Sequence, residues 1–359
     1  MKKYYLILAV IASFASCSKN DNFKATQESP IDFTGVFVEK SSKGVISSAD
    51  DLHTPGFGVF GVKTRNSTAE QVFGQLSTET AGGTKVSYGT AWTYASKRYW
   101  DQEATRYDFF AYAPYNTSSL LGTVGWTAAN PSTSFTISGF KQSTTVANMV
   151  DILTATVSRV GSSNYTNTVD FSFSHILSNI NVKMAVSDDL KSDETDNPVS
   201  VTSVTLSAIK MDGGYAYNTT SSKYVWTLDA TQTTTPATFT ANNKSGKTVV
   251  FEGGDLPSIA TQNTGTGVSG LCDLLFIPQT LPTADGTKYA INVNYKIKDE
   301  TFSKTIYLNQ FTNSSSTASS EWKPGYKYNY VLVIGPTPIV FGNPTIGSWT
   351  EETYTYTIQ

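Results

Sequence analysis

Along most of this chain, apolar residues recur at every second position and not at the three-to-four spacing of a helix. The stretch from Val169 to Val186 carries the pattern most plainly. Val169, Phe171 and Phe173 fall on odd positions, and Ile180, Val182, Met184 and Val186 on even ones. Side chains of a strand alternate between its faces, so each half of the stretch offers one apolar face. The change of phase between Phe173 and Ile180 would turn the apolar set outward in one flat strand. A bulge, kink or sheet-crossing bend around His175 to Asn179 removes that conflict. The pattern predicts a long bent strand joining two sheets and forming the spine of an N-terminal sandwich.

The same period predicts a first strand over Ile31–Glu39, with Ile31, Phe33 and Phe37 on one face and Val36 and Val38 on the other. Phe57–Val62 has little polarity and reads as an interior strand whose glycines allow close backbone approach. Strands are also expected over Thr90–Arg98, Tyr107–Ala113, Ser134–Phe140, Met149–Ala155, Val201–Met211 and Tyr224–Leu228. Pro114, lacking an N–H, ends the second of these. The Thr-rich run from Ala230 to Thr238 suits a domain boundary. Beyond it come Lys247–Phe251, Leu271–Ile277, and a hairpin from Ile291–Ile297 to Phe302–Leu308 with a loop longer than two residues. Tyr326, Tyr328, Tyr330, Leu332 and Ile334 alternate most cleanly, before Pro336 and Pro338. No sustained amphipathic helix interrupts these strands. The expectation is an all-β chain of two β-sandwich domains, residues 31–229 and 230–359.

Composition adds size and compartment. At 359 residues with 39% hydrophobic content, the chain can bury two cores, and a net charge of −3 offers nucleic acid no electrostatic footing. Met1-Lys2-Lys3 is a basic start, Tyr4 to Ala12 is apolar, and Ala15-Ser16 leads directly into Cys17. The apolar run is well short of the ~20 residues that cross a bilayer, so residues 1–16 read as a cleaved signal. Cysteine directly after such a site suggests a bacterial lipoprotein held at the outer membrane by lipid on Cys17. Residues 17–30 then form a polar tether. With Cys17 modified, Cys272 has no partner for a disulfide and reads as buried filler.

Chemistry is harder to find. His53 and His175 lack a second ligand at metal spacing, and a polar contact stabilising the bend accounts for His175. No nucleophile elbow is present. Ser245-Gly-Lys-Thr248 imitates a phosphate loop, but Ala241 stands where that loop needs glycine. Asp188, Asp189, Asp193, Glu194 and Asp196 lack the alternate spacing of a Ca²⁺ site and read as a solvated loop. No catalytic residue, metal or cofactor is therefore expected. Trp92, Tyr94, Tyr99, Trp100, Tyr107, Tyr112 and Tyr115 leave two readings open: core packing, or an exposed platform for sugar rings on a surface glycan-binding lipoprotein. Burial of Trp92 and Trp100 would exclude the platform.

Several stretches, taken together, resemble the fimbrillin family of Bacteroidetes. They are the signal ending at Cys17, Phe57–Val62, Tyr99-Trp100 followed by Tyr107–Pro114, and Met149–Ala155. Phe173-Ser-His-Ile-Leu-Ser-Asn-Ile-Asn-Val182, Leu274–Thr280, Trp322–Tyr328 and Ile346–Trp349 follow in the same order. The resemblance implies two transthyretin-like sandwich domains, no enzymatic activity, and assembly with other fimbrial subunits by strand exchange. It implies a surface fimbrium anchored through lipid, with a host or bacterial surface ligand as a further partner. Carried onto this chain, Ile31, Phe33, Val36, Phe37 and Val38 would form the displaced strand. Lys40 or Lys43 would take the processing cut, with Arg65 a poorer candidate. Tyr354, Tyr356 and Ile358 would form a donor strand.

Overall fold

The computed structural model describes residues 29–38, 46–74, 82–115, 119–165, 168–193, 195–229, 237–241, 251–252, 256, 268–286, 288–311, 318–335 and 350–354. Within these the chain is almost wholly β. One sheet runs in the order β1 (Phe33–Val38), β10 (Val169–His175), β9 (Leu153–Val160), β6 (Arg106–Ala113), β2 (Phe57–Arg65), β4 (Thr84–Tyr88) and β5 (Trp92–Tyr94), with β3 (Thr68–Phe73) on β2. A second orders β14 (Lys223–Leu228), β13 (Asp212–Asn218), β8 (Thr136–Lys141) and β7 (Thr123–Gly125). A third joins β17 (Val268–Phe276), β11 (Ser178–Val186), β22 (Tyr326–Ile334) and β23 (Thr350–Tyr354). The fourth holds β15 (Ala237–Thr240), β12 (Val199–Ile209), β19 (Ala290–Ile297) and β20 (Glu300–Tyr307), with β16 (Phe251–Glu252) also on β12. A short pair, β18 (Gln279–Thr280) and β21 (Glu321–Trp322), completes the set.

The phase switch is a passage between cores. Val169, Phe171 and Phe173 pack with Phe33, Phe57 and Phe109, whereas Ile180, Val182, Met184 and Val186 pack with Leu274, Tyr328, Tyr330 and Leu332. The expected bent strand is two strands, because the ladder breaks at Ile176 and Leu177. These two residues are held from several sides. Ile176 N–H donates to Ile152 O at 3.0 Å, the Trp226 indole donates to Ile176 O at 2.7 Å, and Gly325 N–H donates to Leu177 O at 2.9 Å. Ser178 Oγ donates to Lys323 O at 2.8 Å. The second half is therefore not part of an N-terminal spine, since β11 pairs with β17 and β22.

Strand pairing also crosses residue 230, where the Thr-rich run suggested a boundary: Leu206 faces Phe239 and Val204 faces Val293. Two shorter expectations change as well. The β19–β20 hairpin closes with Ile297 opposite Glu300, a two-residue turn in which Lys298 takes φ 55°. Residues Asp188–Ser192, expected as loop, form one helical turn because the Ser187 hydroxyl accepts from Leu190 N–H and Leu190 is buried. In β2, the expected close approach is real, since a Cβ on Gly61 would lie 2.9 Å from the Phe109 ring. No helix among the described residues is long and apolar enough to cross a membrane.

Candidate functional site

The segment 29–38 leads into β1, which lies at one end of the first sheet. Its lead-in is bonded to the 98–100 segment: Ile31 N–H donates to Arg98 O at 2.8 Å, and Trp100 N–H to Ser29 O at 3.0 Å. The Tyr94 hydroxyl donates to Ile31 O at 2.6 Å, and burial raises that hydroxyl above its usual range. Lys97 pairs with Asp32, which raises the ammonium. From Phe33 on, β1 lies parallel to β10, from Phe33 opposite Val169 to Val38 opposite Phe173. Among the described residues no strand pairs with its other edge. That edge borders a cleft of about 620 Å³ whose far wall includes Ala49, His53, Tyr88 and Trp92.

Side chains supply the rest of the attachment. The Phe33 ring stacks on Phe171 at 5.6 Å and meets Phe73, Tyr94, Phe57 and Phe109 edge-on at 5.4, 5.5, 6.1 and 6.5 Å. Ile31 and Val36 are buried beside it, and Val38 partly so. Each such side chain contributes on the order of 1.5–3 kcal/mol by leaving water. Without β1, these same rings would line an open apolar groove. Phe37 corrects the expected face, being 62% exposed. A register shift between Phe33 and Val36 adds a residue to β1 and reverses its parity, so Val36 and Val38 turn inward in place of Phe37.

Other candidates separate clearly. Cys17, Lys40, Lys43, Tyr356 and Ile358 lie outside the described residues, and Tyr354 is placed by backbone alone, opposite Tyr330 in the parallel β22–β23 pair. Arg65 ends β2 where the chain reverses through Asn66 and Ser67, both at positive φ. Its guanidinium pairs with Glu103 and lies 3.6 Å from Asp101. A protease needs an extended strand, and this one is closed into a hairpin.

The aromatic group is mostly interior. Trp92, Trp100, Tyr107 and Tyr112 are buried, Tyr94 and Tyr115 half-buried, and only Tyr99 is exposed. Trp100 stacks on Tyr165 at 5.2 Å, and Trp92 meets Phe57 edge-on at 5.0 Å. The group is core packing, and the glycan platform fails. No cluster of His, Cys, Asp or Glu able to hold a metal occurs among the described residues.

Asp151 is the site residue that local spacing missed. It is fully buried, with its carboxylate 3.0 Å from Nδ1 of His175. Burial raises its carboxyl, opposed by the hydrogen bond to His175. A lone carboxylate amid Met149-Val-Asp-Ile-Leu153 was the available signal.

A strand at the end of the chain order, seated over an aromatic groove, can be compared with known proteins. Residues 49–349 match the family profile described as fimbrillin-like. This chain belongs to that family. It is 24% identical over 388 residues to the fimbrium subunit Fim1C of Phocaeicola vulgatus, covering 98% of this chain and 97% of that one. The crystal structure of a fimbrial protein from Bacteroides vulgatus shares the fold, with a TM-score of 0.54 at 22% identity, covering 88% of this chain and 99% of that one. The family resemblance seen in the ordered motifs and the all-β sandwich fold are both borne out.

Proposed function

We propose that this chain is a structural subunit of a cell-surface fimbrium, joined to its neighbour by exchange of β1. The observation that carries the reading is β1 itself: it is ladder-bonded along one edge and plugged by Phe33 into a ring of five aromatic side chains. An incoming strand can supply the same main-chain bonds and place alternate side chains in the same groove. Cys17 would carry the lipid that holds the exported precursor at the outer membrane. Lys40 or Lys43, in the connection between Val38 and Ile46, would take the cut. Arg65 is disfavoured by its hairpin and ion pairs. The C-terminal segment with Tyr354, Tyr356 and Ile358 would serve as donor. Two β-sandwich units are the proposed domain plan, although strand pairing crosses both residue 230 and residues 175–178. The role is mechanical and adhesive, without catalysis.

Sequencing the N-terminus of protein sheared from cells tests this. A start at Ser41 or Gly44 in polymeric material is expected. Recovery only as a monomer that keeps a lipidated Cys17 would defeat the exchange reading.

A further inference from the structure

A cleft of about 300 Å³ lies between the second sheet and the short β18–β21 pair. Tyr215, Tyr224 and Trp226 come to it from β13 and β14, and Pro278, Trp322 and Pro324 from the opposite side. It shares no residue with the Trp92–Tyr115 group excluded above. The polar ends of its rings are already spent. The Trp226 indole donates to Ile176 O at 2.7 Å, that of Trp322 to the Tyr330 hydroxyl at 2.9 Å, and the Tyr224 hydroxyl to Ser132 O at 3.1 Å. Phe140 and Tyr215 brace Trp226, each with its ring centroid 5.1 Å away. Trp226 and Tyr224 stay only half-buried, so they offer a ligand carbon surface in a fixed orientation.

Polar groups stand at the rim. Thr280 lies opposite Glu321 in the β18–β21 pair, and both are exposed. Lys323 Nζ is 3.4 Å from the Glu321 carboxylate, so the two rim charges cancel. The gap is too narrow for a strand. Cα atoms of β18 come within 8 Å of those of β14, and a strand inserted between them needs about 9.5 Å, twice the interstrand spacing. A flat ring fits where a ladder-forming peptide does not. An apolar floor edged by a hydroxyl, a carboxylate and an ammonium matches a pyranose, whose C–H face packs on an aromatic ring while its hydroxyls donate and accept. The cancelled charge favours a neutral sugar over a uronic acid or an amino sugar.

We propose that this cleft binds one neutral hexopyranose unit of a surface glycan, stacked on Trp226 and hydrogen-bonded by Thr280, Glu321 and Lys323. The site gives the subunit an adhesive contact of its own. It goes beyond strand exchange and holds whether or not β1 leaves.

Calorimetric titration of the purified full-length protein with methyl β-glucoside, methyl β-galactoside and methyl α-mannoside tests it. At least one is expected to bind with a Kd on the order of 1 mM. No binding of any of the three up to about 50 mM would overturn the proposal. Trp226→Ala should weaken binding about tenfold or more. Trp226→Phe, which keeps a ring and covers the case in which the alanine variant does not fold, should weaken it about threefold. Glu321→Gln, at an exposed position, should weaken the neutral glycosides about threefold. With the Lys323 charge no longer balanced, it should also strengthen binding of methyl α-galacturonoside about threefold or more. Tyr99→Ala removes an exposed aromatic residue outside the cleft and should leave binding unchanged. Binding indifferent to the Trp226 and Glu321 variants, or lost equally in Tyr99→Ala, would overturn the proposal as well.

Discussion

β1 and β11 are both apolar strands with a parallel neighbour, yet the structure holds them in opposite ways. β1 has one ladder, to β10, interrupted by a register shift. β11 has two: an unbroken parallel one from Asn179 opposite Lys327 to Val186 opposite Ile334, and an antiparallel one to β17. β1 also turns Phe37 outward, whereas β11 is buried on both faces, with Asn179 and Asn181 as well as Ile180 and Val182 out of water. Apolar content does not separate these strands. The number of paired edges does, one for β1 and two for β11.

The sharpest way to break the comparison is to charge the permanent strand. Ile180→Asp puts an unpaired carboxylate between two ladders. It is expected to cost about 4 kcal/mol or more, abolishing the cooperative urea transition in cut and uncut protein alike. Phe33→Ala should remove about 3–5 kcal/mol from the uncut chain by emptying the aromatic socket. After the cut and loss of β1, the same variant should match wild type. Phe37→Ser on the same strand serves as the control, with a change within about 0.5 kcal/mol in denaturant midpoint analysis. A Phe33 effect that persisted in the cut protein would mean that β1 does not leave.

A smaller effect comes from pH. Burial raises the Asp151 carboxyl above the ordinary aspartate value of 3.8, so between that value and the raised one the folded chain binds more protons than the unfolded chain. Stability from this group is full below 3.8 and is lost as pH rises through the folded value. Urea midpoints followed upward from pH 3.8 should therefore fall more steeply in wild type than in Asp151→Asn. Parallel curves would remove Asp151 from the pH response.

Much of this was legible in the order of residues, and for a physical reason. β10, β11 and β22 have a face in a core, and burial of one face forces alternation at period two. The break at Ile176–Leu177 was legible too, because a change of phase must be accommodated somewhere. Partners were not. Nothing local to Val204 points to Val293, and nothing local to His175 points to Asp151, which a search at metal-ligand spacing passes over. The aromatic cluster was ambiguous for a related reason. Trp92 and Trp100 at strand spacing look the same whether the face they occupy is covered or open, and only the packing of Phe57 and Tyr165 against them settles it. In β1, Phe37 was misplaced because the extra residue between Phe33 and Val36 leaves no mark in hydrophobicity.

That extra residue works as a password. Ile31 and Phe33 fill the groove in one parity and Val36 and Val38 in the other, so the groove is cut for a strand with a stutter in the middle. The C-terminal run through Tyr354, Tyr356 and Ile358 keeps one parity throughout. Laid along β10 without a bulge, such a strand satisfies one half of the groove and presents the wrong face to the other. On the exchange reading, a neighbour's strand would have to reproduce the stutter to fill the groove over its full length, and one that did not would be held by half a lock.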